Sequence, residues 1–439
     1  MMENHKNKLM MAIEEYWRKD LLAVLERKTR LKIETDLIND VIGPRRSGKT
    51  YLMFFTISEL LGSGIEKEAT IYLNFENRKL LPLTPEYFNH IIELIYARDL
   101  LKKHEKIYLF LDEVQRIDGW ERYVRSIYDE FKGRIKIFLS GSTSRLTKSE
   151  LSYLLTGRHL TTFVFPLSFE EFLSFKNFVA KKPLIEEDVA KVNRYLEEYM
   201  AFGGFPEVVL TGEEKGDILE TLFSDIINRD IAPRAKKSRE VVEEIAYFLS
   251  TYTGKPTSFS KLAKVLKSRG TKISVPTLEK YFNHTKEAFL FFDLKVFSYK
   301  IKDQLQHPKK IYAIDSGLAN FSSFKISADY GRVMENLVAV ELLRRTTEPK
   351  KEVYYWKDYT GKEVDFLVKE GPKVKQLIQA CYDISDPDTK KRETKSLLKA
   401  SSELGCNNLL TITWDYEGEE EIKNKRITYK PLWKWLLAD

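Results

Sequence analysis

Gly43-Pro44-Arg45-Arg46-Ser47-Gly48-Lys49-Thr50 fits the pattern G-x-x-x-x-G-K-[ST]. Its flanks give the pattern a setting. Leu37-Ile38-Asn39-Asp40-Val41-Ile42 reads as a short strand leading in, and Tyr51-Leu52-Met53-Phe54-Phe55-Thr56-Ile57 as a helix leading out. A strand, a glycine-bearing loop and a helix N-terminus form an anion cradle, because free backbone N–H groups and the positive end of the helix dipole point at the same place. The segment from Gly43 to Tyr51 is therefore the expected contact surface for ATP. Lys49 is expected to reach the β- and γ-phosphates and the Thr50 hydroxyl to ligate Mg²⁺.

The second half of such a site is also present. Ile107-Tyr108-Leu109-Phe110-Leu111-Asp112-Glu113 is an apolar run ending in two carboxylates. A continuous apolar run of this length suggests a strand buried on both faces of a parallel sheet. Ligand chemistry collects at the C-terminal ends of such strands. Asp112 is expected to hold Mg²⁺, through water, and Glu113 to polarise the attacking water.

Composition sets the frame. The chain has 439 residues, a net charge of +7, 43% hydrophobic and 31% charged residues. That length predicts about three or four domains. Charge is uneven: Lys255 to Lys310 holds 13 Lys or Arg against 4 acidic residues, a local excess of the kind that nucleic-acid faces show. The two cysteines, Cys381 and Cys406, allow neither a zinc set nor a disulfide framework, and suggest free thiols in a reducing cytoplasm. The first residues lack the apolar core of a signal peptide. No run approaches a membrane span, so no membrane association is expected.

Along the chain, residues 8–30 read as an amphipathic helix. Further core strands are expected at 69–75 and 134–140, alternating with helix-length segments as in a parallel sheet with helices on both faces. Ser142 lies just past the fourth strand, beside the strand of Asp112. Its hydroxyl, or that of Thr143, is placed to touch the γ-phosphate or the attacking water, or to cap the next helix. Thr156-Gly157-Arg158 ends a helical segment, and Arg158 is either an arginine finger for a neighbouring subunit or a surface salt bridge. Ser168 and Glu171 form a capping-box signal. Helices continue to about residue 235 as a lid, interrupted by the Gly203-Gly204-Phe205-Pro206 loop; Arg229-Asp230 reads as a structural pair, with an arginine offered to the nucleotide as the alternative. Residues 236–325 read as helix, helix, helix, then strands at 292–300 and 309–315, the order of a winged helix. Ser274, Thr277, Lys280, Asn283 and Lys286 are its outward positions, with Lys300, Lys302, Lys309 and Lys310 beside the wing. That face suits DNA, or a protein partner.

These pieces, in this order, resemble the archaeal and bacterial ATPases of the AAA+ superfamily that carry a C-terminal domain of unknown function. The resemblance rests on the cradle at 43–50, Leu-Asp-Glu-Val-Gln at 111–115, Ser-Gly-Ser at 140–142 and Thr-Gly-Arg at 156–158. Pro-Leu-Ser-Phe-Glu-Glu-Phe at 166–172, Gly-Gly-Phe-Pro-Glu at 203–207 and Arg-Asp-Ile at 229–231 extend it. It implies Lys49 and Thr50 on phosphate and Mg²⁺, Asp112 and Glu113 as the hydrolytic carboxylates, Ser142 as sensor and Arg158 as finger. It further implies an α/β chain of four parts: a P-loop AAA+ core (1–165), a helical lid (166–235), a winged helix (236–330) and a restriction-endonuclease-like domain (331–439).

In that last part, Glu335 and Asp365 match the two acidic positions of the nuclease fold, and Gln379 is acceptable at the third. Cys381 stands where a lysine belongs. A cysteine supplies no fixed positive charge, and Lys390, Lys391 or Lys395 on the following helix are the candidate substitutes. The domain therefore reads as nuclease-derived and inactive, with weak metal-dependent cleavage as the alternative. The expectation for the whole is an ATP-hydrolysing machine acting on DNA as a ring or partial ring, hexameric by preference. The alternatives are a nucleotide switch that engages a protein partner, and an ATP-gated nuclease.

Overall fold

A computed structural model of the chain describes residues 2–141, 157–179, 184–235, 239–323, 329–346 and 351–438. It is a mixed α/β structure of two compact units, Met1–Phe165 and Pro166–Asp439.

The first unit is built on five parallel strands: β1 (Ile38–Ile42), β2 (Thr70–Asn74), β3 (Ile107–Asp112), β4 (Ile135–Gly141) and β5 (His159–Phe163). Their order is β2-β3-β4-β1-β5, and every neighbouring pair runs parallel. β1, β3 and β4 are buried along their whole lengths, as their apolar runs require. The helix Lys49–Gly62 buries Leu52, Met53, Phe54, Ile57 and Leu60, and these pack against Val41, Phe110 and Phe138. Each such side chain, fully buried, stabilises the core by about 1.5–3 kcal/mol.

The N-terminal helix differs from expectation. It spans Met2–Arg18 and stops there, well short of residue 30. From Leu21 to Ile33 the chain instead lays Leu21, Val24, Leu31 and Ile33 against the core that holds the cradle helix. Arg27, 4% exposed, donates to the carbonyls of Ser47 (3.1 Å) and Phe165 (3.0 Å). Helical periodicity continued past Arg18, but these tertiary contacts overrode it.

The second unit begins with a cluster of helices. The Ser168–Glu171 capping box is fully formed at the start of the helix Phe169–Phe175. Glu186–Phe202 and Lys215–Asp225 follow. Then come the helix Arg239–Thr251, β6 (Pro256–Thr257), the helices Phe259–Ser268 and Val275–Glu287, β7 (Phe291–Leu294) and β8 (Lys309–Ala313). The three strands form an antiparallel sheet in the order β6-β8-β7. This is the expected order of elements, with the short β6 added.

The expected wing is altered. β7 ends at Leu294, six residues early, and the helix Ile301–Gln306 occupies the connection. The freed stretch pairs elsewhere: Phe297 N–H donates to Tyr355 O (2.7 Å), and Tyr355 N–H to Lys295 O (3.1 Å). Val296 is thereby buried with Leu294 in the core of the C-terminal region.

That region holds a separate six-stranded mixed sheet, ordered β13-β14-β12-β11-β10-β9. Its members are β9 (Lys351–Lys357), β10 (Glu363–Glu370), β11 (Lys373–Cys381), β12 (Leu409–Thr413), β13 (Gly418–Ile422) and β14 (Lys425–Pro431). The helices Tyr330–Arg345 and Pro387–Leu404 pack on it. One hydrophobic cluster runs from Phe169, Phe172 and Tyr199 through Leu294 and Tyr312 to Met334, Phe366 and Ile378. The three segments expected beyond residue 165 thus share a core.

The Gly203-Gly204 loop is fixed by Asp315. The carboxylate accepts from Gly204 N–H (2.7 Å) and Gly317 N–H (2.8 Å). Burial pushes Asp315 up to about 6, against the pull of those backbone donors. Gly203 has φ 75° and ψ −164°, a conformation that only glycine adopts readily. A Cβ there would stand 1.9 Å from Asp315 Oδ1. Gly203→Ala is expected to destabilise the second unit by about 2 kcal/mol or more. Gly212→Ala, whose Cβ meets nothing within 4 Å, is expected to stay within about 0.5 kcal/mol. Thermal denaturation of the two variants checks the contrast.

Candidate functional site

The cradle leaves β1 at Gly43 and enters the helix at Lys49. Gly43 lies against β5: a Cβ at this position would meet Val164 O at 2.3 Å. Gly48, at φ 98°, turns the loop into the helix. Both glycines are demanded by sterics rather than by flexibility. Arg46 also takes a left-handed φ of 62°, and Tyr51 is 57% exposed. Arg45 lies 3.9 Å from Glu76, which Arg116 holds at 2.9 Å.

Lys49 is buried, and its ammonium donates to the carbonyls of Pro44 (2.9 Å) and Gly43 (3.1 Å). The Ser47 hydroxyl is buried with no partner. A buried hydroxyl without an acceptor is costly, and a phosphate oxygen is the acceptor that suits this loop. The donor set therefore fits a nucleotide phosphate.

Asp112 is the hub. It is fully buried at the end of β3. Its Oδ2 accepts from Thr50 Oγ1 (2.8 Å), Tyr72 OH (2.8 Å) and Asn74 Nδ2 (3.4 Å). Its Oδ1 accepts from Ser140 Oγ. Thr50 and Asp112, the two expected Mg²⁺ ligands, are thus already in contact, and a hydroxyl facing a carboxylate is an oxygen donor set suited to that hard cation. Burial, with the Asp112 charge beside it, drives the Tyr72 phenol well above its ordinary value.

Glu113 follows in a left-handed conformation, φ 56°. Its N–H donates to Ser140 Oγ (3.0 Å), and its carboxylate accepts from Gln115 Nε2 (2.6 Å). Burial raises its pKa; Lys49 pulls it down and Asp112 pushes it up.

Three of these contacts were not read from the sequence. Tyr72 and Asn74 stand on β2, where Asn74 is the register partner of Asp112. An Asn closing an apolar strand was the available signal. Ser140 bridges Asp112 and Glu113 from the end of β4, two residues before Ser142. Ser142 and Thr143 lie outside the described residues. Arg158 lies beside the cradle's own strand but at the opposite, N-terminal end of the strands. Its carbonyl accepts from Ile38 N–H (2.8 Å) at the start of β1, and the cradle begins beyond Ile42, about 13 Å on at the rise of a strand. Its guanidinium pairs with Asp129 at 2.9 Å and is one-third exposed. Within its own chain Arg158 does not join the phosphate site. Arg229 pairs with Asp225 (3.4 Å) in place of its neighbour Asp230.

The lysines proposed for DNA divide sharply. Lys280 and Lys302 are exposed. Lys286 and Lys309 both pair with Asp293, at 2.8 and 3.3 Å. Lys310 is a correction: it is 1% exposed and faces inward. β8 is buried on both faces, so a lysine within it must find counter-charges. It finds Glu335 (2.9 Å), Asp365 (2.9 Å) and Glu363 (2.8 Å).

Glu335 and Asp365 are therefore brought together, as expected. Gln379 stands beside them, its Oε1 accepting from Asp365 N–H (3.3 Å). Cys381 is buried, its thiol donating to Asp383 O (3.3 Å), and burial pushes it up to about 12. None of the three substitute lysines replaces the missing cation. Lys390 pairs with Glu420, while Lys391 and Lys395 are exposed.

Three family models match the chain in succession. One described as an AAA domain covers residues 36–173, and two described as domains of unknown function, DUF8612 and DUF4143, cover 193–329 and 330–435. An uncharacterized protein of the archaeon Methanocaldococcus jannaschii is 35% identical over 94% of this chain and 91% of its own length. An uncharacterized protein of Haemophilus influenzae is 30% identical over 91% of this chain and 94% of its own. Among solved structures, the Aeropyrum pernix Orc1 protein in complex with DNA is 11% identical, covers 78% of this chain and 93% of that one, and has a TM-score of 0.30. A RuvB variant of Thermotoga maritima is 16% identical, with coverages of 66% and 89% and a TM-score of 0.28. The chain belongs, with these archaeal and bacterial relatives, to the family of AAA-domain proteins that end in a DUF4143 domain.

Proposed function

We propose that the protein hydrolyses ATP with Mg²⁺ and couples turnover to binding or remodelling of DNA as an oligomer. The observation that carries the hydrolytic half is the Asp112 hub, which joins the Thr50 end of the cradle to Glu113. Mg²⁺, when bound between Thr50 and Asp112, supplies charge neutralisation on the β- and γ-phosphate oxygens. Lys49 then leaves the Gly43 and Pro44 carbonyls for phosphate, and the Ser47 hydroxyl gains its acceptor. Glu113, with its backbone held by Ser140 and its carboxylate by Gln115, orients and polarises the attacking water. Ser142 keeps its proposed sensor role on the strength of its position just past β4.

Arg158 supports the oligomer. It cannot serve its own site, its surface pair with Asp129 is of a kind worth little, and it lines a surface hollow with Tyr128, Asp129 and Lys132. We assign it as the finger for a neighbouring subunit in a ring, with six subunits the favoured number. The segment from Arg239 to Ala313 has the element order of a winged helix, and Lys280 and Lys302 present its exposed charge to DNA. The buried free thiols of Cys381 and Cys406 support a reducing cytoplasmic setting. Among the described residues no helix is long and apolar enough to cross a membrane. A second reading, a nucleotide switch that engages a protein partner, draws on Asp293, which pairs with both Lys286 and Lys309 and so offsets part of the charge on that face.

Lys49→Ala is expected to abolish nucleotide binding. Glu113→Gln is expected to keep binding and lose at least about 100-fold in turnover. Because Glu113 must be ionised to act and its pKa is raised, the rate should fall with acid at a higher pH than an ordinary Glu would give. A pH–rate profile of the wild type reads that limb directly.

Arg158→Ala should lose turnover in the assembled form while still binding ATP. Mixing it with Lys49→Ala subunits should restore part of the rate, since each variant lacks what the other supplies. Full activity of Arg158→Ala alone would exclude the finger role.

The ATPase rate with and without duplex, single-stranded and branched DNA tests the coupling. Stimulation by one form, with affinity falling steeply as salt rises, supports the DNA reading. Hydrolysis indifferent to every form would favour the protein-partner switch.

A further inference from the structure

Lys310 is held by chemistry that its own strand does not explain. Its Nζ lies 2.9 Å from Glu335 Oε1, 2.9 Å from Asp365 Oδ1 and 2.8 Å from Glu363 Oε1. An ammonium has three protons to donate, so three carboxylates account for all of them. Most of the remaining oxygens are also engaged. Asp365 Oδ2 accepts from Ala380 N–H (3.1 Å), and Glu363 Oε2 pairs with Lys357 (2.9 Å). Glu335 Oε1 accepts a second bond from Tyr312 OH (2.7 Å). Lys310 and Tyr312 share one face of β8, and both reach Glu335.

The approach is closed from the other side. Gly254 lies over Glu335, close enough that a Cβ there would come within 3.0 Å of Oε2. Tyr355 OH donates to Pro308 O, next to β8. Burial opposes the Lys310 charge, yet Asp365 and Glu335 hold its pKa well above the ordinary value. Burial raises Glu335 against the pull of Lys310.

Glu335 and Asp365 are the acidic pair that the sequence matched to a nuclease centre, where such groups gather a divalent cation through oxygens at about 2.0–2.6 Å. Here one ammonium stands at the meeting point of the carboxylates. It has no proton left for an attacking water and almost no exposure. Its backbone is fixed in the middle strand of the three-stranded sheet, between β6 and β7. The pairing of Lys295 and Phe297 with Tyr355 fastens the same two parts through main-chain bonds.

We propose that Lys310 is a built-in cation, occupying the place of a divalent metal among Glu335, Glu363 and Asp365, so that the C-terminal region is a metal-independent joint to the basic module and does not cleave nucleic acid. A charged set of this kind resists loss of one member, because the others are left buried and unpaired. The missing lysine at Cys381 is thus replaced in charge, from another segment, but not in catalytic function.

The test uses the full chain without nucleotide, incubated with Fe²⁺, hydrogen peroxide and ascorbate. Iron bound among carboxylates reduces the peroxide to hydroxyl radicals that cut the backbone nearby, ascorbate returns the ferric ion to Fe²⁺, and fragment masses locate the cuts. Wild type is expected to stay uncut around residues 335 and 365, and K310M to be cut there at least tenfold more. Should K310M fail to fold, K310M/E363Q removes one unbalanced carboxylate and is read in the same way. Cuts at both places in wild type, or a folded variant without them, would overturn the proposal. Nicking of supercoiled plasmid with Mn²⁺ gives an independent reading. Wild type and D365N should agree within twofold, and a tenfold excess in wild type would show a working nuclease.

Discussion

A carboxylate taken out of water must be met by donors or by a cation, and this constraint organises both units of the protein. Burial without partners costs several kcal/mol per charge. Each buried carboxylate here is met differently. Asp112 collects three hydroxyls and an amide from three separate elements. Asp315 collects backbone N–H groups from two chain segments. Glu335, Glu363 and Asp365 share one lysine.

The donors chosen decide what each carboxylate can do. Hydroxyl donors are exchangeable, so Asp112 can release Thr50 to a shared metal ion without structural loss. Lys49 is in a similar position, resting on carbonyls that it can leave. Such a site is organised but not locked. The Lys310 set is the opposite case. Its charges are mutually dependent and its surroundings are closed, which suits a joint better than a catalytic centre.

The Gly203-Gly204 loop shows the same constraint acting on backbone. Asp315 needs N–H groups at short range, and only a loop free of side chains can bring them. A glycine-proline motif that reads in the sequence as an interruption of the helical lid is, in the fold, the clamp that ties the helices before residue 210 to the segment after β8.

What the sequence determined by itself was everything encoded in contiguous residues. The cradle, the strand ending in Asp112-Glu113, the parallel character of the first sheet and the Ser168–Glu171 cap all follow from local pattern, because strand, loop and helix start are short-range events. The order of helices and strands after residue 239 was legible for the same reason. Tertiary structure decided what depends on distant partners. The helix expected to 30 ended at Arg18 because Arg27 and Leu31 had better partners elsewhere. Arg158 was placed at the opposite end of the strands from the cradle by the parallel register of β1 and β5. Lys310, which by charge alone belonged to a basic face, turned inward because Glu335 and Asp365, 25 and 55 residues away, converge on its strand. A charge count records how many lysines a segment has; only the packed chain determines which of them face water.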